Sequence, residues 1–325
     1  MREDIQQYRD TTAVSYSVLS ALSGHPRSLT ETDSEEKSHY TFGSLVDCLM
    51  FTPEDYNEMF YETSITKPGD KMGDWLEAYL NLEIPADYQL HEAEELVLQA
   101  RSISGYDKRL SDEVALKKFN ETCLPYLDEV ARSGGRLLIT PEVLQEAIAM
   151  ESKLLSNEFT ARYFRSDDKD VEIKFQVPFY YVFEDLEFKS LADIVIYDHK
   201  NHTLEVADLK TTGKPLLYFE KDYTDYKYYI QASLYHLVAQ LAHPEYTVMD
   251  YFDFIVANTT EEPMIWRANQ EHLSLGLYGG VTRFGRKIRG VYQLIEDYKW
   301  HVSNQKFDYP ASVYANNGRK LIDVL

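Results

Sequence analysis

Residues 188–212 read Phe188-Lys-Ser-Leu-Ala-Asp193-Ile-Val-Ile-Tyr-Asp198-His-Lys-Asn-His202-Thr-Leu-Glu205-Val-Ala-Asp208-Leu-Lys210-Thr-Thr212. Two β-rich runs, Phe188 to Tyr197 and Thr203 to Thr211, flank the polar, turn-like cluster Asp198 to His202. A hairpin centred between Lys200 and Asn201 sets Asp193 directly opposite Asp208, with Cβ atoms about 5 Å apart. Asp208 and Lys210 are two apart, so on a strand they share a face. Two carboxylates that close are costly alone, and their pKa values separate. A hard divalent cation relieves the repulsion, because Mg²⁺ takes one or two carboxylates plus water and phosphate oxygens. Such an ion polarises a phosphodiester and acidifies water, and Lys210 is placed to orient that water or meet developing charge. The same pattern also suits a surface hairpin with an Asp–Lys ion pair and no chemistry. A slipped register or a bulge would separate the two acids.

Further out, Val171, Ile173, Phe175, Val177, Phe179 and Tyr181 alternate and predict another strand. Ile230, Leu234, Leu237, Val238 and Leu241 form one helical face. Tyr251 to Ala257 reads as a further strand. Upstream the pattern is helical. Residues 1–30 form a short helical entry, 31–37 a polar loop, and 42–51 an apolar helix closed by Thr52-Pro53-Glu54. Residues 65–135 are polar helical pieces broken at 67–69 and 133–135, and Thr140-Pro141-Glu142 starts another helix. The fold class is α/β (α+β): a central mixed sheet flanked by helices, with a helical N-terminal elaboration. Three parts are expected: 1–165 mostly helical, with 42–51 giving the first core helix; 166–260 as the core; and 261–325 as a basic helical tail packed on it.

The chain has 325 residues, 44% of them apolar, with 33 Lys+Arg against 54 Asp+Glu and a net charge of −21. Bulk charge therefore holds it on neither nucleic acid nor anionic membrane, although a local groove or bound ions can reverse the field at one site. The tail from Val281 runs the other way. It carries Arg283, Arg286, Lys287, Arg289, Lys299, Lys306, Arg319 and Lys320 against Glu296, Asp297, Asp308 and Asp323. Any polyanion contact is expected there, unless the charges only solvate an amphipathic helix. Cys48 and Cys123 are too few for a disulfide scaffold or a four-Cys metal site. No run of about 18 apolar residues exists, and Met-Arg-Glu-Asp-Ile-Gln-Gln is no secretory signal. A reduced, cytoplasmic protein without a membrane is expected. P-loop, Gly-x-Ser-x-Gly and His-Glu-x-x-His motifs are absent from the sequence. Tyr223, Tyr226, Lys227, Tyr228 and Tyr229 interleave aromatics with lysine, a composition that stacks on unpaired bases.

Asp193, Asp208-Leu-Lys210-Thr-Thr and Gln231-Ala-Ser-Leu-Tyr235 together resemble the PD-(D/E)XK nuclease superfamily. The likeness is strongest to the phage exonuclease VIII (RecE-like) branch, which is similar to lambda exonuclease and the RecB nuclease domain. Tyr16-Ser-Val-Leu-Ser, Phe42-Gly43-Ser-Leu-Val-Asp47, Phe51-Thr-Pro-Glu and the helical stretch 140–164 extend the resemblance over most of residues 10–257. It implies a restriction-endonuclease-like core and a Mg²⁺-dependent exonuclease, with Mn²⁺ substituting, acting on the ends of duplex DNA. Asp193, Asp208 and the Leu209 carbonyl would bind the metal, and Lys210 would position the water. Asp47 stands where many relatives carry a metal-binding His, and Glu172 where some carry a Glu that reaches the metal. Gln231, Tyr235 and Thr211 would lie near the DNA. Lys189, four residues before Asp193 and on its face, is a candidate phosphate contact. The resemblance further implies recombination or repair in a phage-infected bacterial cytoplasm, a single-strand annealing partner and a homo-oligomeric ring. Two other readings stay open: an inactive nuclease-fold module that binds DNA or protein, and a structure-specific endonuclease.

Overall fold

The structure, a computed structural model, describes residues 3–30, 38–82, 94–183, 185–283 and 285–320. The polar segment 31–37 lies outside the described residues. Two compact units divide the chain: residues 1–52 with 147–325, and residues 53–146.

The first unit holds the sheet. β1 (Val171–Phe183), β2 (Leu186–Asp198), β3 (Thr203–Thr211), β4 (Tyr251–Ala257) and β5 (Met264–Asn269) lie side by side in that order. Thr247–Val248 adds a short sixth strand beside the start of β3. β3 and β4 are parallel, and the other neighbours along the row are antiparallel. β1 carries Pro178 in mid-strand, which only an edge tolerates. The sheet is therefore mixed, with helices flanking it.

The helices of this unit are α1 (Glu3–Asp10), α2 (Tyr16–Gly24), α3 (Ser38–Phe51), Phe219–Asp225, α4 (Tyr228–Ala242), α5 (Gln270–Tyr278), α6 (Val291–Asn304) and Ala311–Ala315. A parallel strand pair needs a crossover, and α4 supplies it between β3 and β4. Its face Ile230, Leu234 and Val238 packs on Leu204, Val206, Phe252, Phe254 and Val256 of the sheet, and Val291, Leu294 and Ile295 of α6 join the same core. Each of these side chains contributes about 1.5–3 kcal/mol by leaving water. Gly276 of α5 lets that helix meet α4, since a Cβ there would stand 2.4 Å from the Tyr229 carbonyl oxygen.

The helix starting at Thr140-Pro141 is Pro141–Ser156, shorter than the stretch 140–164. Asn157 ends it: its side-chain oxygen accepts from the N–H groups of Phe159 and Thr160 and turns the chain.

The second unit is helical: Asp70–Leu80, Glu94–Ser104 and Asp112–Ser133, with the two-stranded parallel pair Phe60–Glu62 and Leu137–Ile139. Trp75, Tyr79, Ala100, Phe119 and Cys123 form its core. Arg101 is buried there with its charge satisfied by Asp112 at 2.7 Å and by the carbonyls of Asp107 and Leu110.

Candidate active site

The β2–β3 ladder pairs Ile194 with Ala207 and runs to Asp198 with Thr203, symmetric about the 200/201 bond. That is the register read from the turn, and it stops one pair short of Asp193 and Asp208. From there β3 continues beside β4, pairing Ala207 to Thr211 with Asp253 to Ala257. The β1–β2 ladder also skips a position. Phe175 pairs with Ile194 and Val177 with Ala192, so the register passes over Gln176 and Asp193, which lie opposite each other. Gln176 has φ +49°, a left-handed backbone that opens the ladder there. Asp193 thus sits in a fork of the sheet. Its carboxylate accepts from Gln176 Nε2 at 2.9 Å and from the Leu209 N–H at 3.1 Å.

Asp208 is buried. Its Oδ2 stands 2.5 Å from Lys210 Nζ, and its Oδ1 accepts from Gln231 Nε2 at 2.5 Å. Lys210 is the one close cation on Asp208 Oδ2, and the buried Oε1 of Gln231 has no hydrogen-bond donor. Asp47 comes from α3, one turn after Gly43. A Cβ on Gly43 would lie 3.1 Å from Thr211 Oγ1, so glycine allows α3 its close approach to β3. Burial pushes the Asp47 carboxyl up to about 7, with Lys210 pulling down and Asp208 pushing up. Burial, then Asp208 and Asp47, hold Asp193 well above the usual carboxylate range. Burial works against the Lys210 ammonium, but Asp208 and Asp193 outweigh it and raise its pKa. Three carboxyls and one ammonium therefore share one field, in which each carboxyl makes ionisation of the others harder.

Gln231 and Tyr235 are both buried on α4. Gln231 holds Asp208. The Tyr235 phenol is raised by burial, then by Tyr8, Asp208 and Asp193, which places it behind the cluster. Two candidates go elsewhere. Glu172 is bound to His199 at 3.1 Å and Lys174 at 3.2 Å and is paired with Tyr197, because the β1–β2 register sets Gln176, not Glu172, opposite Asp193. Lys189 donates to the carbonyls of Tyr8 at 2.7 Å and Thr11 at 2.5 Å, closing the C-terminus of α1. Gln176 is the residue that sequence reasoning missed. The basic tail is largely spent within the chain: Arg283 on Glu220, Arg286 on Asp225 and Arg289 on Asp297.

No family model and no curated protein matches this chain. Among solved structures, a candidate exonuclease from Eubacterium rectale aligns over 100% of this chain and 96% of its own, at 11% identity and TM-score 0.48. The protein SSO0001 aligns over 63% of this chain and 81% of its own, at 13% identity and TM-score 0.22. Below a TM-score of 0.5, neither likeness assigns an activity to this chain.

Among the described residues, no three His, Cys, Asp or Glu side chains stand together as a ready ion cage. Mg²⁺ does not require one, since it keeps waters and phosphate oxygens and takes one or two carboxylates. Asp193 and Asp208, two carboxyls that raise each other's cost of ionisation, are such a pair. The donor set is all oxygen, which suits Mg²⁺ or Mn²⁺. Among the described residues no helix is long and apolar enough to cross a membrane.

Proposed function

We propose that this chain is a metal-dependent deoxyribonuclease that hydrolyses phosphodiester bonds from the ends of duplex DNA. One observation carries the reading: Asp47, Asp193, Asp208 and Lys210 converge at the fork of the sheet, three carboxyls around one ammonium. Asp193, Asp208 and the Leu209 carbonyl would hold Mg²⁺ or Mn²⁺, with Asp47 beside them. The bound ion would acidify a water and polarise the phosphodiester. Gln176 and the Leu209 N–H fix the Asp193 carboxylate, and Gln231 fixes that of Asp208. Lys210 keeps its proton beside Asp208, so it is a donor and not a base. It orients the attacking water or neutralises charge growing on the phosphate oxygens.

The resemblance adds a role in phage recombination or repair in a bacterial cytoplasm, with the resected strand passed to a single-strand annealing protein. It also adds a homo-oligomeric ring, which sedimentation of the full chain would reveal.

The test is a gel assay on end-labelled linear duplex DNA, with wild type beside Asp208→Ala, in Mg²⁺ and in EDTA. Metal-dependent loss of label in wild type alone is expected. No cleavage by wild type in Mg²⁺ or Mn²⁺ would overturn the reading in favour of a binding module. Cutting of a covalently closed circle would replace the exonuclease with an endonuclease.

A further inference from the structure

The tyrosines between 223 and 229 do different things. Tyr229 is buried, and Tyr223 packs on it with its hydroxyl enclosed and unpartnered. Tyr226 is 51% exposed. It ends a ladder of cations and rings that leads out of the carboxylate cluster. Lys210 Nζ lies 5.1 Å from the Tyr228 ring centroid, and Tyr228 lies 5.8 Å from Tyr226. Lys214 Nζ sits 4.9 Å over the Tyr226 ring. Tyr228 is backed by the stacked ring of Phe219, and the Tyr226 carbonyl accepts from the Tyr16 hydroxyl at 2.8 Å. Tyr16 itself lies in the field of Lys210 and Asp208. Tyr226 is thus held at a fixed place beside the cluster while half its surface stays open.

We infer that Tyr226 is the platform on which an unpaired base stacks when its strand's phosphodiester lies at Lys210 and Asp208. The inference rests on the nuclease reading and names how the strand is held. The occupant is a base and not a phosphate. Lys214 is already bound to Asp222 at 2.7 Å and to the Tyr226 hydroxyl at 3.2 Å, so its charge is spent. The chain as a whole carries −21 and repels a polyanion. Stacking on a ring needs no net charge and tolerates any base, since every base has a π-face. Binding held this way depends less steeply on salt than binding held by phosphate contacts.

The experiment is fluorescence anisotropy of labelled oligothymidylate on the full chain, with Ca²⁺ in place of Mg²⁺. Tyr226→Leu is expected to weaken binding roughly ten-fold, while Tyr226→Phe stays within about two-fold of wild type. Tyr309→Leu, at another exposed tyrosine, is expected to change nothing. A relaxed, covalently closed circular duplex offers no unpaired base, and Tyr226→Leu should bind it as wild type does. Melting curves guard against misfolding. Should Tyr226→Leu fail to fold, Tyr226→Trp replaces it, with binding expected at or above wild type and a ten-fold loss overturning the inference. Unchanged oligothymidylate binding by folded Tyr226→Leu, or an equal loss in Tyr309→Leu, also overturns it. If wild type cuts labelled duplex and Tyr226→Leu binds and cuts identically, only this inference falls. If wild type neither binds nor cuts DNA, the nuclease reading falls with it.

Discussion

Asp208 and Asp253 lie on adjoining strands, one pair apart, Asp208 opposite Phe254 and Asp253 opposite Ala207. Both are buried, at 2% and 1% exposure. Asp253 accepts two hydrogen bonds from the Arg267 guanidinium, at 2.8 and 2.7 Å, and a third from the Tyr163 hydroxyl at 2.6 Å. Arg267 also lies flat over the Tyr251 ring. Asp208 has one donor on each oxygen, Gln231 on Oδ1 and Lys210 on Oδ2, and Asp193 and Asp47 share its field. Burying a carboxylate is tolerated when donors satisfy it. Asp253 is a finished structural unit. Asp208 has two donors where Asp253 has three and stands among like charges, as a group does when its last partner arrives with the reaction.

The sharpest way to break this contrast is to remove each aspartate's cation. Lys210→Ala should lower cleavage at least ~100-fold while DNA binding in Ca²⁺ persists. Arg267→Ala should leave cleavage within a few-fold and instead cost about 2 kcal/mol of stability, by leaving Asp253 short of donors. Gel rates and melting curves on both variants decide it. Wild-type cleavage by Lys210→Ala would remove that lysine from the mechanism and make the two aspartates equivalent.

Divalent metal should separate them next. Mn²⁺ at a hundred times its dissociation constant should stabilise wild type by about 2.7 kcal/mol, because it binds only the folded chain. Asp208→Asn should lose most of that shift and, without metal, melt no lower than wild type, since one of three crowded carboxyls is gone. Tyr163→Phe should lower the baseline by about 1 kcal/mol and leave the Mn²⁺ shift intact. A thermal shift titration reads all three. Equal Mn²⁺ shifts in wild type and Asp208→Asn would place the ion elsewhere.

The hairpin register was legible because strand alternation and the 198–202 turn jointly fix it, but the ladder opens one pair before Asp193 and Asp208, which the turn does not foretell. Asp47 was legible only as a helical position four after Gly43; its approach to Lys210 depends on α3 settling on β3, which no local pattern encodes. The network around Asp253 was invisible, since Tyr163 lies 90 residues away and Arg267 sits on β5. β5 itself gave no strand signal: Trp266 and Ala268 are flanked by Arg267 and Asn269, as befits an edge. Residues 65–135 read as polar helical pieces, because each helix buries one narrow face. Gln176 is the instructive miss. The resemblance points to Glu172 as the upstream acid, but counting back from the innermost hairpin pair, Phe183 with Leu186, puts Gln176 opposite Asp193. Nothing in its side chain announces a left-handed backbone, which glycine or asparagine would have done.

Gln176 also gives the finest test of the contrast, because its strain and its hydrogen bond can be removed separately. Gln176→Ala keeps φ near +49° and loses the amide, so it should lose about 1 kcal/mol of stability. Gln176→Gly loses the same amide but adopts that backbone without a Cβ clash, which returns about 1 kcal/mol and leaves stability near wild type. Both variants free the Asp193 carboxylate on one side, and both should cut DNA roughly ten-fold more slowly, the usual effect of losing a group that orients a metal-binding side chain. Matching activity loss with unmatched stability would show that the left-handed turn is kept for the amide it delivers. If Gln176→Gly cuts at the wild-type rate, the Leu209 N–H alone positions Asp193. The fork then needs no more outside support than Asp253 does, and the contrast narrows to the like charges around Asp208.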